Sequence, residues 1–275
     1  MLNLRKTILF INLIIFLLLL TGCFSNIPTL NERKQTAISL YSNNKNIIQK
    51  EIQTSQFNLF SLQDMKSSCE NIKIFVEGDG LSWISKSTIS LNPTPITPLG
   101  LKLMLSDDKS SCKIYLARPC QYIDSTMCEE KYWTSHRFND KVIQSYDETL
   151  TNLKKDFPNI KFDLVGYSGG GAVVTLLAAT RNDINSIMTI AGNLDIEKWA
   201  KIQKITPLNG SLNPANYAKK LQNIKQYHLI GKDDKVIPKE IFFSYLNRFE
   251  NKNNISYSFY EGTHSCCWEN FLVEF

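Results

Sequence analysis

Short apolar runs alternate with longer amphipathic segments along most of the chain. From Cys69 onward, runs rich in β-branched and aromatic residues end at glycine or proline, and this pattern predicts strands. The predicted strands are IKIFVEG, CKIYLARP, IKFDLVGY, INSIMTIAG, KQYHLIG and ISYSFYEG. Several are apolar at nearly every position, as expected for a parallel sheet that is covered on both faces.

Segments with helical periodicity lie between these strands. The clearest is FNDKVIQSYDETLTNLKKDF, and the others are LGLKLMLSD, GGAVVTLLAATR, part of residues 193–224, PKEIFFSYLNRF and CWENFLVEF. The alternation predicts one α/β domain, with a mostly parallel central sheet and helices on both faces. Residues 36–63 could add one or two edge strands. The connection from Gly192 to Gln226 is too short for a large cap domain.

The N-terminus has the pattern of an export signal. Arg5 and Lys6 precede the apolar run ILFINLIIFLLLL, which ends in LTGC. This ending resembles the bacterial lipobox, in which Cys23 carries the lipid (palmitate) and becomes the first mature residue. We therefore predict a signal peptide over 1–22, a tether over 23–45 and the folded domain over 46–275. A retained transmembrane anchor is the alternative, but the run is short for a span of about 20 residues.

This interpretation also predicts a location. The lipid at Cys23 would tether the chain to a membrane without spanning it. Position 24 is Phe rather than Asp, and Ser25 follows. In a Gram-negative cell, lipoprotein sorting then favours the outer membrane, with the domain facing the periplasm.

Composition and charge narrow the function classes. The chain has 275 residues, of which 43% are hydrophobic and 21% charged, so it is globular rather than disordered. The formal charge is +5, and Arg5 and Lys6 of the predicted signal supply two of those charges. No basic cluster is interleaved with aromatics, so we expect no nucleic-acid partner.

The cysteines predict disulfides. With Cys23 set aside, six remain, which in an exported protein suggests up to three bridges. Cys120–Cys128 would close a short loop, and Cys69–Cys112 would join two neighbouring strands at their starts. Cys266 and Cys267 lie beside His264, where a disulfide could pin the loop. A metal site is the alternative, but no CxxC or HxxxH spacing supports it, so we expect no metal and no cofactor.

One serine lies among glycines in 166-GYSGGG-171, between a predicted strand and a predicted helix. This matches the G-x-S-x-G nucleophile elbow in its expected strand–turn–helix context. Ser168 is therefore the candidate nucleophile, while an ordinary tight turn is the structural alternative.

A serine nucleophile needs a base and an acid. Of the three histidines, His264 lies in the loop after the last predicted strand, where the chain order Ser…Asp/Glu…His places the base. His228 lies within a predicted strand, and His136 lies in a loop where a structural or substrate-lining role is favoured. The acid is Asp233 or Asp234, which follow the strand KQYHLIG.

These motifs together resemble the α/β-hydrolase family. The resemblance covers about residues 70–275 and includes the IKIFVEGDG strand and loop, the GYSGG elbow, the GKDDKVIP acid loop and the EGTH loop, in the family order. It implies Ser168 as nucleophile, Asp234 rather than Asp233 as acid, and His264 as base.

The resemblance also implies an oxyanion hole made of two backbone amides. One belongs to Gly169, after the nucleophile, and the other to the loop after the first parallel strand. Many relatives have His-Gly at the start of that loop, whereas this chain has 77-EGDG-80. By register Asp79 gives the second amide, with Gly78 and Gly80 as alternatives. For the Glu77 and Asp79 side chains we expect loop-stabilising hydrogen bonds.

Further side chains are candidates for the substrate pocket. Arg118 follows a strand at the predicted active-site edge, where it could hold a substrate carboxylate or phosphate or form a structural ion pair. Trp83, Trp133 and Tyr167 could line an apolar pocket or belong to the core.

The expected function is a membrane-tethered serine hydrolase that cleaves carboxylic esters of small molecules or lipids through an acyl-enzyme. A peptidase, amidase or thioesterase using the same three residues is one alternative. A non-catalytic envelope lipoprotein that uses the fold for binding is another.

Overall fold

A central sheet of eight strands organises the molecule. The computed structural model describes residues 27–123, 125–266 and 268. The strands are β1 (Ile48–Gln53), β2 (Asn58–Asp64), β3 (Asn71–Val76), β4 (Lys113–Leu116), β5 (Lys161–Tyr167), β6 (Ile184–Ile190), β7 (Lys225–Gly231) and β8 (Ile255–Tyr260). Their order across the sheet is β1-β2-β4-β3-β5-β6-β7-β8. At one edge, β1 pairs antiparallel with β2, and β2 pairs antiparallel with β4. The remaining strands, β4-β3-β5-β6-β7-β8 across the sheet, are parallel to one another.

A helix precedes β1, and the helices that follow connect the parallel strands. They are α1 (Leu30–Tyr41), α2 (Leu99–Ser106), α3 (Asp140–Asp156), α4 (Gly169–Ala178), α5 (Ile196–Gln203), α6 (Ala218–Leu221) and α7 (Lys239–Leu246). Short 3₁₀ turns lie at Glu130–Trp133 and Pro214–Tyr217. Between β6 and β7 the chain holds only α5, one 3₁₀ turn and α6, so these described residues contain no large cap.

The alternating pattern has a direct structural cause. Two apolar clusters lie on the two faces of the sheet, one beneath α3 and α4 and the other beneath α2. Every residue of α4 is buried, and β4 is buried at every position, because both are covered on all sides. The parallel strands carry their carboxyl ends to one edge, where the loops after β3, β5, β7 and β8 meet.

The predicted tether over residues 23–45 needs correction, because α1 (Leu30–Tyr41) lies within it. Thr29 and Glu32 form a reciprocal cap at the start of this helix, and Ala37 is buried at 1% exposure. Arg33 Nη1 donates to the carbonyls of Asn92, at 3.1 Å, and Thr94. The helix therefore packs on the domain and belongs to it.

Two predictions about the termini concern residues outside those that the structure describes. The predicted signal peptide with Cys23, and all of the predicted helix CWENFLVEF except Trp268, cannot be compared with the structure. No helix among the described residues is both long and apolar enough to cross a membrane.

The two suggested disulfides are present. Cys69–Cys112 joins the segments that lead into β3 and β4, and Cys120–Cys128 closes the loop after β4. Cys266 is disulfide-bonded as well.

Candidate active site

The turn between β5 and α4 places Ser168 at the carboxyl edge of the sheet. Ser168 has φ 53° and ψ −118°, a conformation that is strained for a residue with a side chain. A Cβ on Gly166 would overlap the backbone of Gly170, and a Cβ on Gly170 would overlap the backbone of Val76. Only glycine fits these two positions, so the sequence GYSGG is dictated by the tightness of the turn.

A continuous chain of hydrogen bonds leads from Ser168 to a buried carboxylate. Ser168 Oγ lies 3.0 Å from His264 Nε2, and His264 Nδ1 lies 2.8 Å from Asp234 Oδ2. The three residues come from the loops after β5, β8 and β7, and they are 96 and 30 positions apart along the chain. The fold thus brings together the serine, histidine and acid that the sequence pointed to.

The backbone holds Asp234 in its orientation. Its Oδ1 accepts the amides of Val236 and Ile237, both at 2.8 Å, which leaves Oδ2 for His264. The side chain is fully buried. The neighbouring Asp233 is exposed, and its amide donates to the Gly262 carbonyl at 3.2 Å. That bond joins the acid loop to the histidine loop.

The histidine loop is also held by aromatic side chains. Tyr167 donates its hydroxyl to the His264 carbonyl at 2.9 Å, and Trp268 Nε1 donates to the same oxygen at 2.8 Å. The Tyr167 and His264 rings are 5.4 Å apart. Sequence reasoning placed Tyr167 in a pocket or in the core and missed this role. The variable position before the serine in G-x-S-x-G was its only signal.

The other two histidines have partners elsewhere. His228 is buried in β7 beside Thr189 Oγ1 at 2.7 Å, and burial lowers its pKa to about 3, which keeps the ring neutral. His136 Nδ1 lies 2.8 Å from Ser135 Oγ.

Glu77 organises the loop after β3 from beneath. Its Oε1 accepts the amides of Gly78 at 2.9 Å and Gly100 at 3.0 Å, while Oε2 accepts the Tyr115 hydroxyl at 3.0 Å and the Leu101 amide at 3.3 Å. Burial raises the pKa of Glu77, and these donors offset part of that rise. The Gly78 amide therefore already donates its hydrogen bond to the Glu77 carboxylate.

Asp79 lies directly against the nucleophile elbow. A Cβ on Gly169 would overlap the Asp79 carboxylate. That carboxylate accepts Arg118 Nη1 at 2.8 Å on one oxygen and Arg137 Nη1 at 2.7 Å on the other. Burial opposes ionisation of Asp79, but the two guanidinium groups outweigh it and leave its pKa lowered. Among the described residues, the backbone amides of Asp79 and Gly169 have no acceptor.

Three further candidates have defined places. Arg118 forms the structural ion pair with Asp79 rather than standing free. Trp133 is buried and donates Nε1 to the Ser90 carbonyl at 3.0 Å, whereas Trp83 is 42% exposed. Arg137 was missed, because no motif marks it.

Comparisons with known proteins place this geometry in a known fold. No family model and no curated protein matches the sequence. Among solved structures, the Pyrococcus furiosus esterase Pf2001 superposes with a TM-score of 0.59 at 14% identity, over 83% of this chain and 88% of that one. Est1E from Butyrivibrio proteoclasticus superposes with a TM-score of 0.58 at 14% identity, over 82% of this chain and 94% of that one. An alpha-beta serine hydrolase homologue from Coxiella burnetii superposes with a TM-score of 0.54 at 12% identity, over 82% of this chain and 92% of that one. The chain has an α/β-hydrolase fold.

Within this α/β-hydrolase fold, the described residues bring several reactive side chains together at the carboxyl edge of the sheet. No group of three or more His, Cys, Asp or Glu side chains in the described part of the chain is arranged to hold a metal ion. The site consists of a hydroxyl, an imidazole and a carboxylate joined by hydrogen bonds. The Asp79 carboxylate, paired with two guanidinium groups, lies against Gly169, the residue after the serine.

Proposed function

We propose that this protein is a serine hydrolase that cleaves carboxylic esters through an acyl-enzyme. The observation that carries the proposal is the hydrogen-bonded series Ser168–His264–Asp234, presented on a strained turn at the start of α4. A serine hydroxyl becomes nucleophilic when a neutral imidazole can take its proton and a carboxylate orients that imidazole.

In the first half of the reaction, Ser168 Oγ attacks the ester carbonyl carbon while His264 Nε2 takes the hydroxyl proton. Asp234 accepts a hydrogen bond from the Nδ1–H group of His264, and its negative charge stabilises the imidazolium that forms. The carbonyl oxygen becomes an oxyanion, which the amides of Gly169 and Asp79 receive. Collapse of this intermediate breaks the bond to the alcohol, which leaves with the proton from Nε2.

In the second half, water replaces the alcohol. His264 takes a proton from water, and the hydroxide attacks the acyl carbon bound to Ser168. The same amides stabilise the second oxyanion, and His264 returns a proton to Ser168 Oγ as the carboxylic acid leaves. The enzyme is restored without any cofactor.

We propose esters rather than other acyl compounds as substrates because of what the structural neighbours are described as. Pf2001 is described as an esterase, and it covers most of the present chain. Peptide amides and thioesters remain alternative substrates, because the same three residues serve all of these reactions.

We also propose that the domain is exported and tethered to the membrane through a lipid on Cys23. The disulfides Cys69–Cys112 and Cys120–Cys128 support export, since such bridges persist in oxidising compartments. The folded part begins by Leu30 in α1, so only a few residues would separate it from the lipid. In a Gram-negative cell the outer membrane, on its periplasmic side, is the proposed location.

A fluorophosphonate probe tests the catalytic proposal. The purified full chain should be labelled covalently and should hydrolyse short 4-nitrophenyl esters. Ser168→Ala should lose the label and about three or more orders of magnitude in kcat while remaining folded. The matched control is Ser186→Ala, a partly exposed serine on the neighbouring strand β6, which should keep both.

Two results would count against the proposal. Labelling that persists in Ser168→Ala would place the nucleophile elsewhere. A folded, oxidised wild-type protein that neither takes the label nor cleaves esters, thioesters or peptide amides would favour the non-catalytic lipoprotein.

A further inference from the structure

Two buried arginines share one carboxylate beside the proposed oxyanion hole. The side chains of Arg118 and Arg137 are 5% and 7% exposed, and that of Asp79 is 18% exposed. The carboxylate of Glu77 is committed to the amides and hydroxyl beneath the loop. The hydrogen-bonded cluster of Asp79, Arg118 and Arg137 therefore holds one positive charge in excess, in a place where water is scarce.

The donor nitrogens of Arg118 either have acceptors within the protein or are buried away from solvent. Its Nη1 donates to Asp79 Oδ1 at 2.8 Å, and its Nη2 donates to the Arg137 carbonyl. Its Nε is buried away from solvent and has no acceptor. Arg118 is thus closed off from a substrate, although the sequence suggested it as an anion-binding residue.

Arg137 differs in one nitrogen. Its Nε donates to the Thr134 carbonyl at 2.7 Å, and its Nη1 donates to Asp79 Oδ2 at 2.7 Å. Its Nη2 has no acceptor among the described residues. Unlike Arg118 Nε, this nitrogen is not fully buried. Arg137 therefore keeps one NH₂ group, on Nη2, that has no acceptor among the described residues and is in contact with solvent.

The position of Arg137 connects this donor to the reaction centre. Its guanidinium bonds the Asp79 carboxylate that lies against Gly169, the residue after the nucleophile. On its other side it lies over the Trp199 ring at 5.8 Å, and Trp199 Nε1 donates to the Val236 carbonyl at 2.8 Å, two residues beyond Asp234. Arg137 thus stands between the loop after β3, which contains Asp79, and the acid loop after β7, which contains Asp234.

We propose that Arg137 is a substrate-specificity residue: its Nη2 NH₂ group donates to an anionic group of the ester, so that the enzyme prefers esters carrying a carboxylate. The inference rests on the proposed hydrolase function. A buried excess charge is unfavourable until an opposite charge arrives, and a guanidinium–carboxylate hydrogen bond is among the stronger ones in proteins.

Matched pairs of esters test this preference. The acetate esters of 4-hydroxybenzoate and 4-hydroxybenzamide differ in charge on the alcohol side. The 4-nitrophenyl esters of the adipate monoanion and of 6-methylheptanoate differ in charge on the acyl side. In at least one pair we expect kcat/KM of wild type to be about 10- to 100-fold higher for the anion, the range that a hydrogen bond to a charged group supplies.

The variant Arg137→Met should abolish that preference, while Arg137→Lys should recover part of it. Because loss of Arg137 also weakens the Asp79 cluster, the readout is the ratio within a pair, which a general loss of activity does not alter. The control is Arg181→Met. Arg181 is similarly buried and ion-paired to Asp147 and Asp183, but it precedes β6 at the opposite edge of the sheet. This variant should keep the wild-type ratio.

Binding to Ser168→Ala separates this inference from the hydrolase proposal. Calorimetry should show tighter binding of 4-acetoxybenzoate or the adipate ester than of the neutral partner, and Arg137→Met in the same background should equalise the two. Equal binding and equal kcat/KM within both pairs would overturn the role of Arg137. A wild type that binds the anion but hydrolyses no ester would overturn the hydrolase proposal and leave an anion site.

Discussion

Replacing Asp79 by asparagine isolates the charge that holds the loop after β3. Asp79→Asn keeps the size of the side chain and removes its negative charge. The remaining amide oxygen can still accept a hydrogen bond from one guanidinium group. The new NH₂ group faces the other guanidinium group and cannot accept a hydrogen bond from it. Arg118 and Arg137 would then be two buried cations without a counter-ion in their cluster.

The structure gives the size of the effect. The variant loses one charge-assisted hydrogen bond of 2.7–2.8 Å, which contributes about 1.5–3 kcal/mol. Breaking a buried ion pair from one side costs about 3–5 kcal/mol in all, because the remaining charges stay buried. We expect the free energy of unfolding at pH 7 to fall by about 3–5 kcal/mol, a large part of the total stability of a typical domain.

The same charge predicts a pH dependence. The pKa of Asp79 is lowered in the folded protein, so its contribution is fully present above the unfolded pKa of about 3.9. It is lost as the pH falls from there through the lower folded pKa. The difference in stability between wild type and Asp79→Asn should therefore be constant from pH 7 to pH 5 and shrink below about pH 3.9.

Urea denaturation at pH 7, 5, 4 and 3 with disulfides intact measures this difference. The control is Asp147→Asn, which removes one partner of Arg181 where the aspartate is 44% exposed and Asp183 remains. There the loss should stay below about 1 kcal/mol. A loss at Asp79 no larger than in this control, or one that is unchanged at pH 3, would refute the idea that ionised Asp79 stabilises the loop.

Two other predictions concern the acid and the tether. Asp234→Asn should lower kcat by about three to four orders of magnitude, because the amide cannot hold the histidine as its carboxylate does, whereas exposed Asp233→Asn should change kcat less than about tenfold. Steady-state kinetics decides, and the reverse ranking would move the acid by one residue. Cys23→Ser should shift the protein from the membrane to the soluble fraction or leave it unprocessed, by fractionation and mass spectrometry. Membrane attachment with unchanged mass would instead indicate a retained anchor.

Much of the fold was readable from local pattern. A strand covered on both faces is mostly apolar where it is buried, and the apolar runs of β3 to β7 stand out in the sequence for this reason. β4 is buried at every position, while β3, β5, β6 and β7 are buried mainly in their second halves. α1 was missed, since most of its residues are polar and face solvent. It is held instead by distant partners such as the carbonyls that receive Arg33, 59 and 61 positions away.

The sequence by itself determined the features that local chemistry demands. Gly166 and Gly170 are required by the tight turn, and the order of Ser168, Asp234 and His264 follows from the order of the loops. The choice of Asp234 rested on a motif register alone, with no knowledge of which carboxylate would be buried. These features are legible because each depends on a few neighbouring residues.

Only the tertiary structure decided which distant groups meet. Tyr167 holds the His264 carbonyl across 97 positions, and Arg137 joins Asp79 across 58. It also decided that Arg118 is closed within the protein while Arg137 keeps a free donor. Such pairings leave no periodicity in the sequence, because they depend on where folded loops converge and on which polar atoms the fold shuts away from water.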